Sequence, residues 1–175
     1  MIKNYIVIIL ISLLVNTFVF SAETNSDSKA KSNGREDEGY LKGKKNSNFK
    51  IGLNAIKKAK KYERKKKIEK SKEKFNEAIK YLTLAKKDSP NQPDILNYLG
   101  YSFSKVGDIQ MAEIYYLQGL DINPNHISIN EYLGELYVQT NRISMAKDRL
   151  KILENCNCEE FEELSNAIKL GSAKY

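Results

Sequence analysis

The sequence predicts an all-α fold: a curved solenoid of helical hairpins, about three units long, closed by one further helix. Three observations carry that expectation. Residues 98–125 and 132–155 repeat one skeleton at a spacing of 34, with Tyr98-Leu99-Gly100 returning as Tyr132-Leu133-Gly134, and Ile109, Met111 and Ala112 as Ile143, Met145 and Ala146. From Phe49 onward apolar residues recur at helical spacing, and no stretch alternates with the two-residue period of a half-buried strand. Gly107-Asp108 and Asn141-Arg142 supply turn residues midway through each copy, where a helical hairpin must reverse.

In chain order, Lys3, the apolar run Tyr5 to Phe20 and the small residues Ser21-Ala22 read as a signal peptide over residues 1–22. The run is about 16 residues long, short of the roughly 20 that a spanning helix needs. An exported chain is therefore expected, periplasmic or secreted, with an uncleaved membrane anchor as the alternative. Residues 23–48 hold one Leu and one Tyr among small, charged and glycine residues, too little apolar surface to offset the entropy of ordering, and read as a disordered linker. Phe49, Leu53, Ile56 and Ala59 then share one helical face.

The run 57–74 holds 11 basic residues and three glutamates, with Tyr62 and Ile68 as its large apolar residues. A helix so polar on every side is solvated or bridging. Glu63 with Lys67 and Glu69 with Lys72 add weak helical support, so an exposed helical extension is expected. Lys57, Lys58, Lys60, Lys61, Arg64, Lys65, Lys66 and Lys67 form its basic patch. One period toward the N-terminus, Phe75 falls under Ile109, Ala78 under Ala112, Leu82 under Tyr116 and Pro90 under Pro124. The second helix of an earlier unit is thereby located. Its first helix is not, because Tyr98-Leu99-Gly100 falls on Arg64-Lys65-Lys66, so an insertion is expected in the hinge or second helix of that unit.

The following helices are expected at 94–105, 109–121, 128–139, 143–154 and 159–170. In the last, Phe161, Leu164 and Ile168 share a face, Glu159 and Glu160 suit the N-terminal dipole, and Gly171 can close the C-terminus. It is expected to cover the open apolar face of the third unit.

The repeat period, Leu-Gly in each first helix, the aromatics Phe103 and Tyr137, Ala112 and Ala146 early in each second helix and Pro124 after it resemble the tetratricopeptide repeat. The resemblance covers roughly residues 49 to 155. With the export signal and the C-terminal cysteine pair, the chain is similar to a group of small exported bacterial tetratricopeptide proteins. It implies a domain over residues 49–175, carrying the lysine-rich insertion at 57–74, whose stacked units leave a concave groove lined by first helices. By that resemblance Asn97, Tyr101, Ser104 and Lys105 in one copy, and Glu131, Glu135, Val138 and Gln139 in the next, face the groove as ligand-contact candidates; a merely solvated face is the alternative. With Glu131 and Glu135 standing in the groove, a clamp for a C-terminal carboxylate is not expected.

Cys156 and Cys158 are the two cysteines. Three readings stay open for them: a disulfide that pins the turn before the last helix, two free thiols, or a redox or metal role. His126 falls in a loop between repeats with no ligand cluster near it in sequence. No phosphate loop or nucleophile elbow is present, and one histidine finds no catalytic pairing, so neither enzymatic activity nor a cofactor is expected.

The net charge of +7 is uneven. Residues 1–88 carry 22 Lys and Arg against 10 Asp and Glu, and residues 89–175 carry 7 against 12. Such a dipole can steer acidic partners or allow head-to-tail self-association. The expected partner is a protein or peptide in the cell envelope. The alternative is an anionic membrane or polymer held by the lysine run; nucleic acid is not the expected ligand, and the oligomeric state stays open.

Overall fold

The computed structural model describes the backbone of residues 36–172 and side chains from residue 47 onward. The expected signal peptide, 1–22, and the start of the expected linker lie outside the described residues. Seven helices follow in order: α1 Glu36–Arg64, α2 Ile68–Asp88, α3 Pro93–Val106, α4 Ile109–Ile122, α5 Ile127–Gln139, α6 Ile143–Leu153 and α7 Glu159–Leu170. They pair as hairpins α1–α2, α3–α4 and α5–α6, with α7 packed on α5 and α6, and no strand occurs among the described residues. The fold is a helical solenoid. No described helix is long and apolar enough to cross a membrane.

Local chemistry explains the boundaries. Pro93 opens α3 at a position where its missing N–H costs nothing. Gly107 closes α3 at φ 95°, in the left-handed region. Asn141, at the matching place in the next unit, holds φ 59°, a conformation that its short polar side chain tolerates. Asp108 caps α4 by accepting from the Met111 N–H at 3.0 Å. His126 does more than occupy a loop: its Nδ1 accepts from the Ile129 N–H at 3.3 Å, capping α5, and its Nε2 lies 3.1 Å from Asp94.

Close packing sets the register of the units. A Cβ on Gly100 would lie 2.5 Å from the ring of Tyr116, a side chain with 1% exposure. A Cβ on Gly52 would lie 2.8 Å from Leu82, the counterpart of Tyr116 one period earlier. Gly52 is therefore the counterpart of Gly100. Gly52 and Gly100 stand farther apart in sequence than Gly100 and Gly134, and the surplus, about four helical turns, belongs to the first unit. It is shared between the end of α1 and the start of α2, which reaches 21 residues against 14 in α4. The lysine run is thus no lone solvated helix. It is the end of an antiparallel hairpin whose inner side buries Ala55, Ile56, Ala59, Ser71 and Phe75.

The expected linker is also shorter than 23–48, because α1 already runs through 36–48. Once packing of 49–64 supplies a helical nucleus, each added residue costs little.

Two apolar clusters form the core. One joins α1, α2 and α3 around Phe75, Leu82, Ile95 and Leu99; the other joins α4 to α7 around Tyr116, Leu133, Leu136 and Ala167. Gly134 lets α7 approach, since a Cβ there would stand 2.5 Å from Leu164, whose side chain has no exposure. Here α7 covers the third unit as expected. Gly119 similarly admits Ile129 of the next unit, which accounts for a glycine inside α4 despite its poor helix propensity. Arg142 bridges the second and third units, donating from its two terminal guanidinium nitrogens to Glu113 at 2.7 and 2.8 Å and lying 4.5 Å from the Tyr137 ring centre.

Candidate functional site

The first helices of the hairpins, α1, α3 and α5, bring their repeat-equivalent residues to one side. Two adjoining cavities lie there. The larger, about 400 Å³, is walled by Leu53 and Ile56 of α1 and Tyr98 of α3, and rimmed by Lys57, Lys60 and Arg64. The second, about 280 Å³, shares Lys60 and Arg64 and adds Glu63, Tyr101, Lys105, Tyr132 and Glu163. The extended first hairpin supplies most of the cations.

Aromatic rings tie the walls together. Phe49 meets Tyr98 at 5.9 Å between ring centres, Phe75 meets Tyr101 edge-on at 5.8 Å, and Tyr101 meets Tyr132 at 5.4 Å. Lys60 and Lys105 lie 4.7 and 5.6 Å from the centre of the Tyr101 ring, within cation–π range. Lys105 also pairs with Glu63 at 3.1 Å, linking α3 to α1. Burial, then the nearby Glu63 charge, pushes the Tyr101 hydroxyl well above its ordinary value, so this phenol stays protonated and able to donate. The result is a rigid aromatic floor under a cationic rim.

The far end of the same face is closed by α7. The Glu131 carboxyl is pushed up to about 9, first by burial, then by its hydrogen bond with Glu163 and the charges of Glu135, Glu163 and Glu160. At neutral pH Glu131 and Glu163 share a proton across their hydrogen bond. This contact fastens the acidic face of α7 to α5.

The eight groove candidates therefore divide. Tyr101 and Lys105 line the second cavity. Ser104 beside them is half-buried and turns its hydroxyl back onto the Tyr101 carbonyl at 2.8 Å, while Gln139 is exposed at the end of α5. Asn97, Glu131, Glu135 and Val138 are buried, each at 5% exposure or less, and line neither cavity. Packing of α7 on α5 covers Glu131, which bonds to Glu163.

The eight basic candidates Lys57, Lys58, Lys60, Lys61, Arg64, Lys65, Lys66 and Lys67 are all exposed. Groove and basic run, expected as separate surfaces, meet at Lys57, Lys60 and Arg64. Sequence reasoning missed Leu53, Ile56, Tyr98, Tyr132, Glu63 and Glu163 as cavity residues. Gly52 was the available signal: aligning it with Gly100 sets Leu53 beneath Tyr101 and Ile56 beneath Ser104.

Cys156 and Cys158 are joined by a disulfide in the turn between α6 and α7, with Cα atoms 5.2 Å apart, and Asn157 between them holds φ 53°. Among the open readings, this arrangement is the bond that pins the turn. A cavity of about 350 Å³ beside it is lined by Glu154, Asn157, Cys158, Phe161 and Glu162.

The stack of helical hairpins defines a helical-repeat protein. More narrowly, residues 93–126 match the tetratricopeptide repeat family model, and the chain has the tetratricopeptide fold. The TPR domain of Arabidopsis OM64 is similar at 14% identity, over 70% of this chain and 98% of that one, with a TM-score of 0.53. The second TPR domain of human RPAP3, in complex with the HSP70 peptide SGPTIEEVD, is similar at 11% identity, 71% and 98% coverage and a TM-score of 0.54. The TPR2B domain of yeast Sti1, in its pHsp70 complex, shows 14% identity, 69% and 95% coverage and a TM-score of 0.54. No curated protein matches the chain in sequence.

Proposed function

We infer that this chain is a non-catalytic adaptor that holds a peptide segment of a partner protein in the paired cavities between α1 and α3. The observation that carries this reading is their adjacency: an apolar cleft of Leu53, Ile56 and Tyr98 opens beside a polar one, with Lys60 and Arg64 common to both. Such a site takes one apolar side chain and selects acidic neighbours through the rim, as ligand sites commonly combine apolar walls with a few placed charges. The RPAP3 domain is in complex with an HSP70 peptide and the Sti1 domain with pHsp70 on the same fold, which supports a peptide ligand here. The expectation against a carboxylate clamp rested on Glu131 and Glu135 standing in the groove. Neither lines the cavities, Glu131 standing behind Glu163 of the second one, and on the α1 side an acidic ligand would meet Lys57, Lys60 and Arg64.

The adaptor is further proposed to work outside the cytoplasm, in the envelope of a bacterial cell. Support comes from the signal-like residues 1–22 and from the disulfide, a bond favoured in oxidising compartments. Selection from a displayed random-peptide library, followed by fluorescence anisotropy, tests the binding reading. Selected peptides should pair an apolar residue with Asp or Glu, and Leu53→Glu and Lys60→Glu should each weaken them at least about tenfold, a change of roughly 1.4 kcal/mol. Peptides that bind both variants as well as the parent chain would remove the proposed site.

A further inference from the structure

The segment inserted into the first hairpin carries more than the groove rim. The last turn of α1, the connecting residues 65–67 and the first turn of α2 form a tip in which every residue from 64 to 70 is exposed. Neither the α3–α4 turn nor the α5–α6 turn has this extension. Six cations crowd the tip: Lys61, Arg64, Lys65, Lys66, Lys67 and Lys70. None of the six is in an ion pair described among residues 47–172. Glu69 is the one acidic residue between 64 and 70. Lys66 turns the chain at φ 54°, a conformation that glycine adopts without strain. Among these cations stands Ile68, 53% exposed, an apolar side chain presented at the very start of α2.

We propose that this hairpin tip docks on an anionic lipid surface, its lysines at the headgroup phosphates and Ile68 at the acyl boundary. A polybasic cluster gains attraction with each added cation near an anionic membrane, and an apolar side chain beside it adds the burial that electrostatics alone lacks. Single-stranded nucleic acid is disfavoured because such sites need aromatic platforms. The nearest aromatic, Tyr62, is half-buried, and no exposed ring lies between residues 64 and 70. The tip surface is distinct from the groove in that Lys65, Lys66, Lys67 and Ile68 line neither groove cavity.

The test is vesicle co-sedimentation of the full chain with phosphatidylcholine alone and with phosphatidylcholine plus phosphatidylglycerol, at low and moderate salt. The N-terminal apolar run is common to every sample, so the difference between vesicle types reports the electrostatic part of binding, and the tip variants assign it to the tip. Binding should require phosphatidylglycerol and fall as salt is added. The variant Lys61→Gln, Lys65→Gln, Lys67→Gln, Lys70→Gln spares Lys57, Lys60 and Arg64 of the groove, and should lose roughly several hundredfold, at about fivefold per cation. Ile68→Ser should weaken binding several-fold while leaving the salt dependence in place. Equal binding to both vesicle types, salt-insensitive binding, or an unaffected quadruple variant would overturn the proposal. So would tighter binding to a single-stranded oligonucleotide than to the anionic vesicles.

Discussion

Glu131→Gln tests the α5–α7 contact through its pH dependence. Glu131 is 2% exposed, and its carboxyl is pushed from 4.5 up to about 9 by burial and by the proton it shares with Glu163. The folded chain keeps a proton there that the unfolded chain releases near 4.5. Its contribution is therefore complete below about pH 4.5 and is lost as pH rises through about 9. The full shift corresponds to about 6 kcal/mol. That is an upper bound, because water reaching a loosened α7 would solvate the carboxylates; a loss on the order of 2–3 kcal/mol between pH 5 and pH 9 is the expectation. For a domain of this size such a loss lowers Tm by about 10 °C. The assay is thermal unfolding followed by circular dichroism across that range. The introduced amide would remain neutral and could still donate to Glu163, so the variant should match the parent at pH 5 and exceed it at pH 9. A variant that keeps the parent's full decline, or a parent whose Tm rises from pH 5 to pH 9, would refute the reasoning.

Other perturbations separate the remaining contacts. Gly100→Ala brings a methyl 2.5 Å from the fully packed Tyr116 ring and should cost about 1–3 kcal/mol in chemical denaturation, as overpacking does; a neutral result would mean the α3–α4 contact is looser than described. Arg142→Ala leaves Glu113 without the two hydrogen bonds that hold its carboxyl below the ordinary range. A loss of about 1 kcal/mol is expected, because both partners are partly exposed. That stabilisation should be present above about pH 4.5 and fade in the parent as pH falls through the lowered value. Cys156→Ser with Cys158→Ser opens a very short loop, for which chain entropy gives about 1–2 kcal/mol. Urea titration should register that small loss with no change in helical content. A collapse of the fold would show that the bond does more than pin its turn.

Much of the fold was legible because its determinants are periodic. Gly100 and Gly134, Ala112 and Ala146, and the turn pair Gly107 and Asn141 recur at one spacing, so five of the helices could be placed within a residue or two. The first unit was harder to read, because the inserted segment, shared between two helices, breaks the period, and only the contact of Gly52 with Leu82 restores the register. Repeat position named the groove candidates, but not which of them remain open. Glu131 and Glu135 look like solvated helix residues until Leu164 is seen seated on Gly134 and Glu163 bonded to Glu131. That outcome is a long-range packing event to which the local pattern of α5 contributes no signal. The meeting of the basic run with the groove was hidden for the same reason, since it depends on where the lengthened α1 lies against α3.

The central claim is that the cavities between α1 and α3 hold the partner. It is tested most directly by amide chemical-shift mapping during titration with a library-selected peptide. Saturable shifts concentrated at residues 53–64 and 98–105, and lost in Leu53→Glu, are the predicted result. Shifts confined to the outer helices α4 and α6, with α1 and α3 unmoved, would contradict the account.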